Sequence, residues 1–388
     1  MKIKRIQAYW LRCPIPAGRQ WRSDYGQLTH FDMTLVEVED TDGNKGYGEA
    51  KAAVGATGAC ASIVTCIDQE LAPQLMGKEV GDITALWETI YSGSRDHYAR
   101  DRGRVFPILG NRGTTISALS GIDTALWDLK GKRLGVPVLE LLGGACRDYM
   151  PCYASGGWAD KDQLGDQLRG YVDHGYGGIK MRVGVMDETV NRTVDRVGEA
   201  HRALGPDIDI MADAHGTFSV TEARRFARQT EDLNLYWLEE PVSPDNKAGT
   251  AEVRRGTTTP IAAGESEFTR FDFRDLLEHR AVDILQPDCA IVGGITEARR
   301  VAALAETWQL ELAPHCWGSA FSFMAGVHLA FSSPSAVYIE HSLGGNPLLY
   351  DLVKEPPQVK NGRIQCPDRP GLGMEINPDF VAQFTVTF

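Results

Sequence analysis

The chain has 388 residues and a net charge of −12, too long for one small core and suited to a barrel of about 250 residues plus a second domain. Its acidic balance excludes non-specific nucleic-acid binding, which needs a basic footprint, but leaves an anionic small-molecule substrate open. Eight scattered cysteines with no CxxC pair read as reduced, no run of 18 apolar residues suggests a membrane span, and the start MKIKRIQAYWLR lacks a signal peptide's apolar core. A soluble cytoplasmic protein with no membrane partner is expected.

Apolar and polar side chains alternate in IKRIQAYWLR and again in MTLVEVEDTDGNKGYGEA, with TDGN as a hairpin turn, which predicts a three-stranded antiparallel start. From Thr57 to Tyr91 the apolar spacing becomes helical, with Pro73 interrupting. The stretch SALSGIDTALWDLKGKRLG then reads as a helix stopped by Gly135 and Pro137, and a short helix after it stops at Gly143 and Gly144. The opening strands and the helical stretch to Tyr91 form an α+β domain, placed over residues 1–125.

Beyond Met150 the texture changes to strand then helix, repeated. Eight runs read as buried strands: CYASGG, GIKMRV, IDIMADA, LYWLEE, IAAGES, DILQPD, ELAPHC and AVYIEH. Amphipathic segments such as TEARRFARQTEDL fill most gaps. That alternation calls for a parallel sheet, and eight strands call for closure into a TIM-like (β/α) barrel, placed over residues 126–345. The Pro- and Gly-rich segment 346–388 shows no further βα pattern and is expected to pack back on the first domain.

Three of these runs end in an acid: Asp213, Glu239 and Glu265, about one βα unit apart. A barrel gathers the carboxyl ends of its strands on one face, so the three can meet around one cation. A lone acid at a strand end is ordinarily an ion-pair partner; three in register point to a metal. Hard oxygen donors without nearby Cys or paired His favour Mg²⁺ over Zn²⁺.

Later strands bring Asp288, His315 and Glu340 to the same face. An Asp and a His on neighbouring strands can form a dyad that makes His315 a general acid or base. Lys180 and Arg182 share one side of GIKMRV, where two inward cations want an anion. Lys180 would serve as a base only with a depressed pKa. By the same alternation His215 points with Asp213 and can contact substrate or share the acid–base work. His30, His97, His174, His201, His279, His328 and His341 have no comparable placement.

The ordered set Lys180-x-Arg182, Asp213-x-His215, Glu239 with Glu240-Pro241, Gly264-Glu265, Gln286-Pro287-Asp288, Pro314-His315, Glu340 and Gly371-Leu372-Gly373 resembles the enolase superfamily, in its mandelate racemase-like subgroup, over nearly the whole chain. The resemblance implies a modified TIM-like barrel with an N-terminal α+β capping domain completed by the C-terminal tail. It implies Mg²⁺ held by Asp213, Glu239 and Glu265, a substrate carboxylate on the metal, and removal of the adjacent proton to give an enediolate. Cap segments around Arg19, Trp21, Arg22 and Tyr25, Lys51 to Thr57, and the stretch from Ser94 would shape specificity. A homo-oligomer is implied as well.

The sequence departs from the subgroup at one position. Racemases of this kind usually carry Lys-x-Lys on the second strand; here the second position is Arg182, a poor proton acceptor and a good oxyanion clamp. Racemisation needs a base on each face of the carbon, whereas dehydration needs only one acid/base. The expected activity is therefore dehydration of an aldonate or aldarate to a 2-keto-3-deoxy acid. A lactone cycloisomerase or an epimerase shares the enediolate and is the nearest alternative. A non-catalytic sugar-acid binding protein is the alternative of another class.

Overall fold

A computed structural model describes residues 1–24, 26–52, 60–93, 103 and 110–387. Tyr25, the segment from residue 53 to 59 and nearly all of the stretch from Ser94 lie outside the described residues. The chain opens with strand β1 (Ile3–Pro14), a small hairpin of β2 (Trp21–Ser23) and β3 (Gly26–Leu28), then β4 (His30–Asp40) and β5 (Lys45–Ala50). β1, β4 and β5 form the expected three-stranded antiparallel sheet, in the order β1-β4-β5. The turn between β4 and β5 is held by Asp40, whose carboxylate accepts the N–H groups of Asp42 and Asn44 at 2.9 and 3.0 Å.

A helix over Thr114–Leu134 covers this sheet. It lies so close that a Cβ on Gly46 would come within 2.1 Å of the Ala125 carbonyl oxygen, so β5 needs glycine there. The helix stops at Gly135, in the left-handed region at φ 69°, and the short helix Val138–Leu142 stops at Gly143, both as the sequence predicts.

Eight strands follow: β6 (Tyr149–Gly156), β7 (Gly178–Arg182), β8 (Asp209–Asp213), β9 (Trp237–Glu239), β10 (Ile261–Ala263), β11 (Ile284–Leu285), β12 (Glu311–Leu312) and β13 (Ile339–Ser342). They run parallel in the order β12-β11-β10-β9-β8-β7-β6-β13. β12 meets the segment that leads into β13, where Leu312 bridges Ala336: Leu312 N–H donates to the Ser335 carbonyl at 3.0 Å and Val337 N–H to the Leu312 carbonyl at 2.9 Å. The architecture is thus a modified TIM-like barrel with an N-terminal α+β cap.

Inside the barrel Tyr153, Met211, Trp237, Ala262, Ile284 and Ala313 form one buried apolar layer. Inward side chains recur every second residue, so the next layer toward the carboxyl ends holds Ser155, Asp213, Glu239, Gln286 and His315. The chemistry therefore stands directly on a packed floor.

The last segment makes contacts on both the barrel and the cap. A strand β14 (Arg363–Gln365) first pairs antiparallel with the start of β6. Further on, Leu372 N–H donates to Asp128 of the helix Thr114–Leu134 at 2.8 Å, and Thr385 bridges Leu11 of β1. All eight cysteines are free thiols. Among the described residues no helix is long and apolar enough to cross a membrane.

Candidate active site

Asp213 and Glu239 end β8 and β9, and Glu265 stands just past β10, beyond Gly264 at φ 138°. The fold brings one carboxylate oxygen of each to within 4.8 Å of the others, and all three side chains are buried. Glu239 is held from several sides: Lys180 donates to Oε1 at 2.5 Å, and Trp237 Nε1 and Gln286 Nε2 donate to Oε2 at 2.9 and 2.8 Å. Burial raises the Glu239 pKa to about 7, with Lys180 opposing and Asp213 and Glu265 adding repulsion. Asp213 moves upward as well, chiefly through burial. Clustered buried carboxylates that repel one another in this way suit a cation.

Lys180 and Arg182 face inward, as alternation predicts. Lys180 Nζ lies 3.0 Å from Glu340 and 3.7 Å from Asp213, and Arg182 Nη1 lies 3.1 Å from Asp213. Burial lowers the Lys180 pKa, but Glu239, Glu340 and Asp213 outweigh it and the net direction is well upward. A lysine base needs the opposite direction, and here Lys180 is paired with three carboxylates.

The Asp288–His315 dyad is present. His315 Nδ1 is 2.8 Å from Asp288 Oδ2, and its Nε2 is 3.6 Å from both Glu265 and Glu340. Asp288 Oδ1 accepts the Ala290 N–H at 2.7 Å, which fixes the carboxylate. For His315 burial works against the charged form, yet Glu265, Glu340 and Asp288 together raise its pKa. Glu340 falls to about 2: burial opposes, while Lys180, His315 and the Cys316 N–H favour the carboxylate.

His215 reaches the site by a route the alternation argument did not foresee. β8 ends at Asp213, and His215 sits in the following turn at φ 50°, with its N–H donating to Asp213 Oδ1 at 3.0 Å. Its Nδ1 lies 2.8 Å from Asp24 and its Nε2 3.5 Å from Glu265. Burial disfavours the imidazolium, but Asp24 and Glu265 raise the pKa to about 11.

Asp24, in the turn of the β2–β3 hairpin, was missed in the sequence. It also lies 3.5 Å from Arg182 Nε. Lys51, at the end of β5, places Nζ 3.5 Å from Asp288 Oδ2 and donates to the Trp317 carbonyl. Neighbouring Glu49 is buried and accepts the Ser319 N–H at 2.7 Å. Cap and barrel thus share one site. Trp21, Trp158 and Trp317 line its pocket together with the charged groups.

This combination defines a barrel enzyme that gathers acids, cations and a histidine dyad under a cap. Residues 163–380 match the enolase C-terminal domain-like family and residues 22–143 the mandelate racemase / muconate lactonizing enzyme N-terminal domain. The chain belongs to the enolase superfamily, in its mandelate racemase-like branch, and is an enzyme. It is 36% identical over 364 residues to the D-galactonate dehydratase of Ralstonia pickettii, covering 90% of each chain. It is 33% identical over 363 residues to the D-galactarolactone cycloisomerase of Agrobacterium fabrum, again covering 90% of each. The solved structure of a racemase from Streptomyces coelicolor with bound magnesium shares 32% identity and a TM-score of 0.86, covering 99% of this chain and 100% of that one.

Proposed function

We propose that this enzyme is a Mg²⁺-dependent sugar-acid dehydratase, acting on an aldonate or aldarate and releasing a 2-keto-3-deoxy acid. The observation that carries the reading is the pair of independently held histidines, His315 on Asp288 and His215 on Asp24, both within 3.6 Å of Glu265. Elimination of water removes the proton beside the carboxylate and returns one to the departing hydroxyl, work that one group can do in turn and that two such groups can divide.

Asp213, Glu239 and Glu265 would hold the metal, and their all-oxygen donor set suits Mg²⁺. When bound, the ion withdraws charge from the substrate carboxylate and makes the neighbouring C–H acidic. Arg182 and Lys180 hold positive charge beside the developing oxyanion. His315, oriented by Asp288, takes the α-proton through Nε2. The β-carbon–oxygen bond breaks, and the proton that completes water comes from the His215 imidazolium or back from His315. The enol left behind becomes the ketone.

Likeness to the galactarolactone enzyme supports a second reading, a cycloisomerase in which the leaving oxygen belongs to a ring. A panel of aldonates and aldarates incubated with Mg²⁺ in D₂O separates the two. The expected result is a 2-keto acid from at least one member, with kcat lowered about 10²- to 10⁴-fold in His315→Asn. Deuterium exchange with no 2-keto product would discard dehydration.

A further inference from the structure

The pocket carries two patches of opposite chemistry. Lys180, Arg182, Asp213 and Glu340 form one, knit together by ion pairs. The other is three indoles drawn from separate segments: Trp21 stacks on Trp158 with centroids 4.9 Å apart, Trp317 meets Trp158 edge-on at 5.5 Å, and Trp317 lies 6.2 Å from Trp21. Leu28 and Met181 extend the apolar wall. Gly344 leaves room for it, since a Cβ there would stand 2.7 Å from the Trp21 ring.

An acid whose carboxylate lies among the cations sends its far end toward these indoles. A second carboxylate would bury a full charge against them, and a buried charge needs a partner. Among the described residues no Lys or Arg lies over any of the three rings. Arg19 rests against Gly345 and is not part of the lining. What the wall does offer is Trp21 Nε1, buried and without an acceptor among the described residues. One neutral N–H matches one hydroxyl oxygen, and the indole faces match C–H groups.

We infer that the substrate is a sugar monoacid whose remote end is uncharged, an aldonate or its terminally deoxygenated form, and that aldarates are rejected by the tryptophan wall. This rests on the sugar-acid reading and narrows it. The test uses Mg²⁺-loaded enzyme with matched stereochemical sets of aldonate, terminally deoxygenated aldonate and aldarate. Binding is read by quenching of tryptophan fluorescence and reaction by loss of the α-proton signal in D₂O. Both monoacids should bind at least about tenfold more tightly than the matched aldarate. Trp158→Arg, which offers the missing cation, should narrow that ratio. An aldarate that binds as well as its aldonate in the unaltered enzyme overturns the inference. Monoacids that bind preferentially but exchange no proton would sink the dehydratase reading and leave this one standing; an enzyme that binds none of the acids overturns both.

Discussion

Asp24 is nearly buried and lies 2.8 Å from His215 and 3.5 Å from Arg182, so the cap hairpin brings a carboxylate to two basic groups of the barrel. Its carboxylate is one of the two groups that raise His215 to about 11 against burial. The sign follows directly. Asp24→Asn removes a stabiliser of the imidazolium, lowers the folded-state pKa, and moves the loss of the protonated form to lower pH. If His215 donates the proton to the departing hydroxyl, the alkaline limb of kcat against pH should move down in this variant while the acid limb stays. A limb that does not move would remove His215 from that role. Nothing in WRSDYG marked this residue, because an Asp in a hairpin turn is the ordinary case, and folding alone brings it to a partner 191 positions away. Asp288 and His315 are 27 positions apart, one βα unit, and their pairing was readable for that reason.

At the scale of elements, the barrel strands were legible because buried apolar runs alternate with amphipathic segments, though several strands are shorter than their runs: β9 and β10 keep three residues, and β11 (Ile284–Leu285) and β12 (Glu311–Leu312) only two. Pro287 and Pro314 follow shortly, and a proline has no N–H to donate to the ladder. The helix Ala320–Phe331 breaks the amphipathic expectation, since every residue in it is buried. It is enclosed by the barrel on one side and by the helix Val138–Leu142 and β5 on the other, so an apolar stripe on one face was not required. This helix carries His328, whose Nδ1 accepts the Leu139 N–H at 3.2 Å and which burial pushes down to about 4. An unfolded histidine titrates near 6.5. Because the folded value is depressed, the stability present above pH 6.5 is lost as pH falls toward 4, by roughly 3 kcal/mol at most for this one group. His341, also lowered to about 4 by burial, adds in the same direction. Thermal unfolding should therefore show a drop in Tm between pH 7 and pH 5, and His328→Asn, which keeps an acceptor for Leu139, should lessen that drop. An equal drop in the variant would assign the acid sensitivity elsewhere.

For the whole molecule, the seam between cap and barrel is polar as well as apolar. Asp123 accepts from Thr296 N–H and Oγ1 at 2.9 and 2.6 Å, Trp127 Nε1 donates to the same hydroxyl at 2.9 Å, and Trp87 Nε1 donates to the Gly293 carbonyl at 2.8 Å. Buried bonds of this kind specify one docking geometry, because each misplacement strands a polar group. Lys51 lies on the same seam: its N–H donates to the Ala290 carbonyl at 3.0 Å and its ammonium faces Asp288, the carboxylate that orients His315. Positive charge there works against protonation of His315, the group proposed above as the base, so a cap residue bears on the titration of a barrel histidine. Lys51→Met keeps the stem and removes the charge. His315 should then hold its proton to higher pH, and the acid limb of kcat/KM should move to higher pH. A purely structural role predicts a different result: a lower Tm with the acid limb unmoved. Measuring both on one preparation decides between a cap that only covers the site and one that sets the basicity of the group inside it.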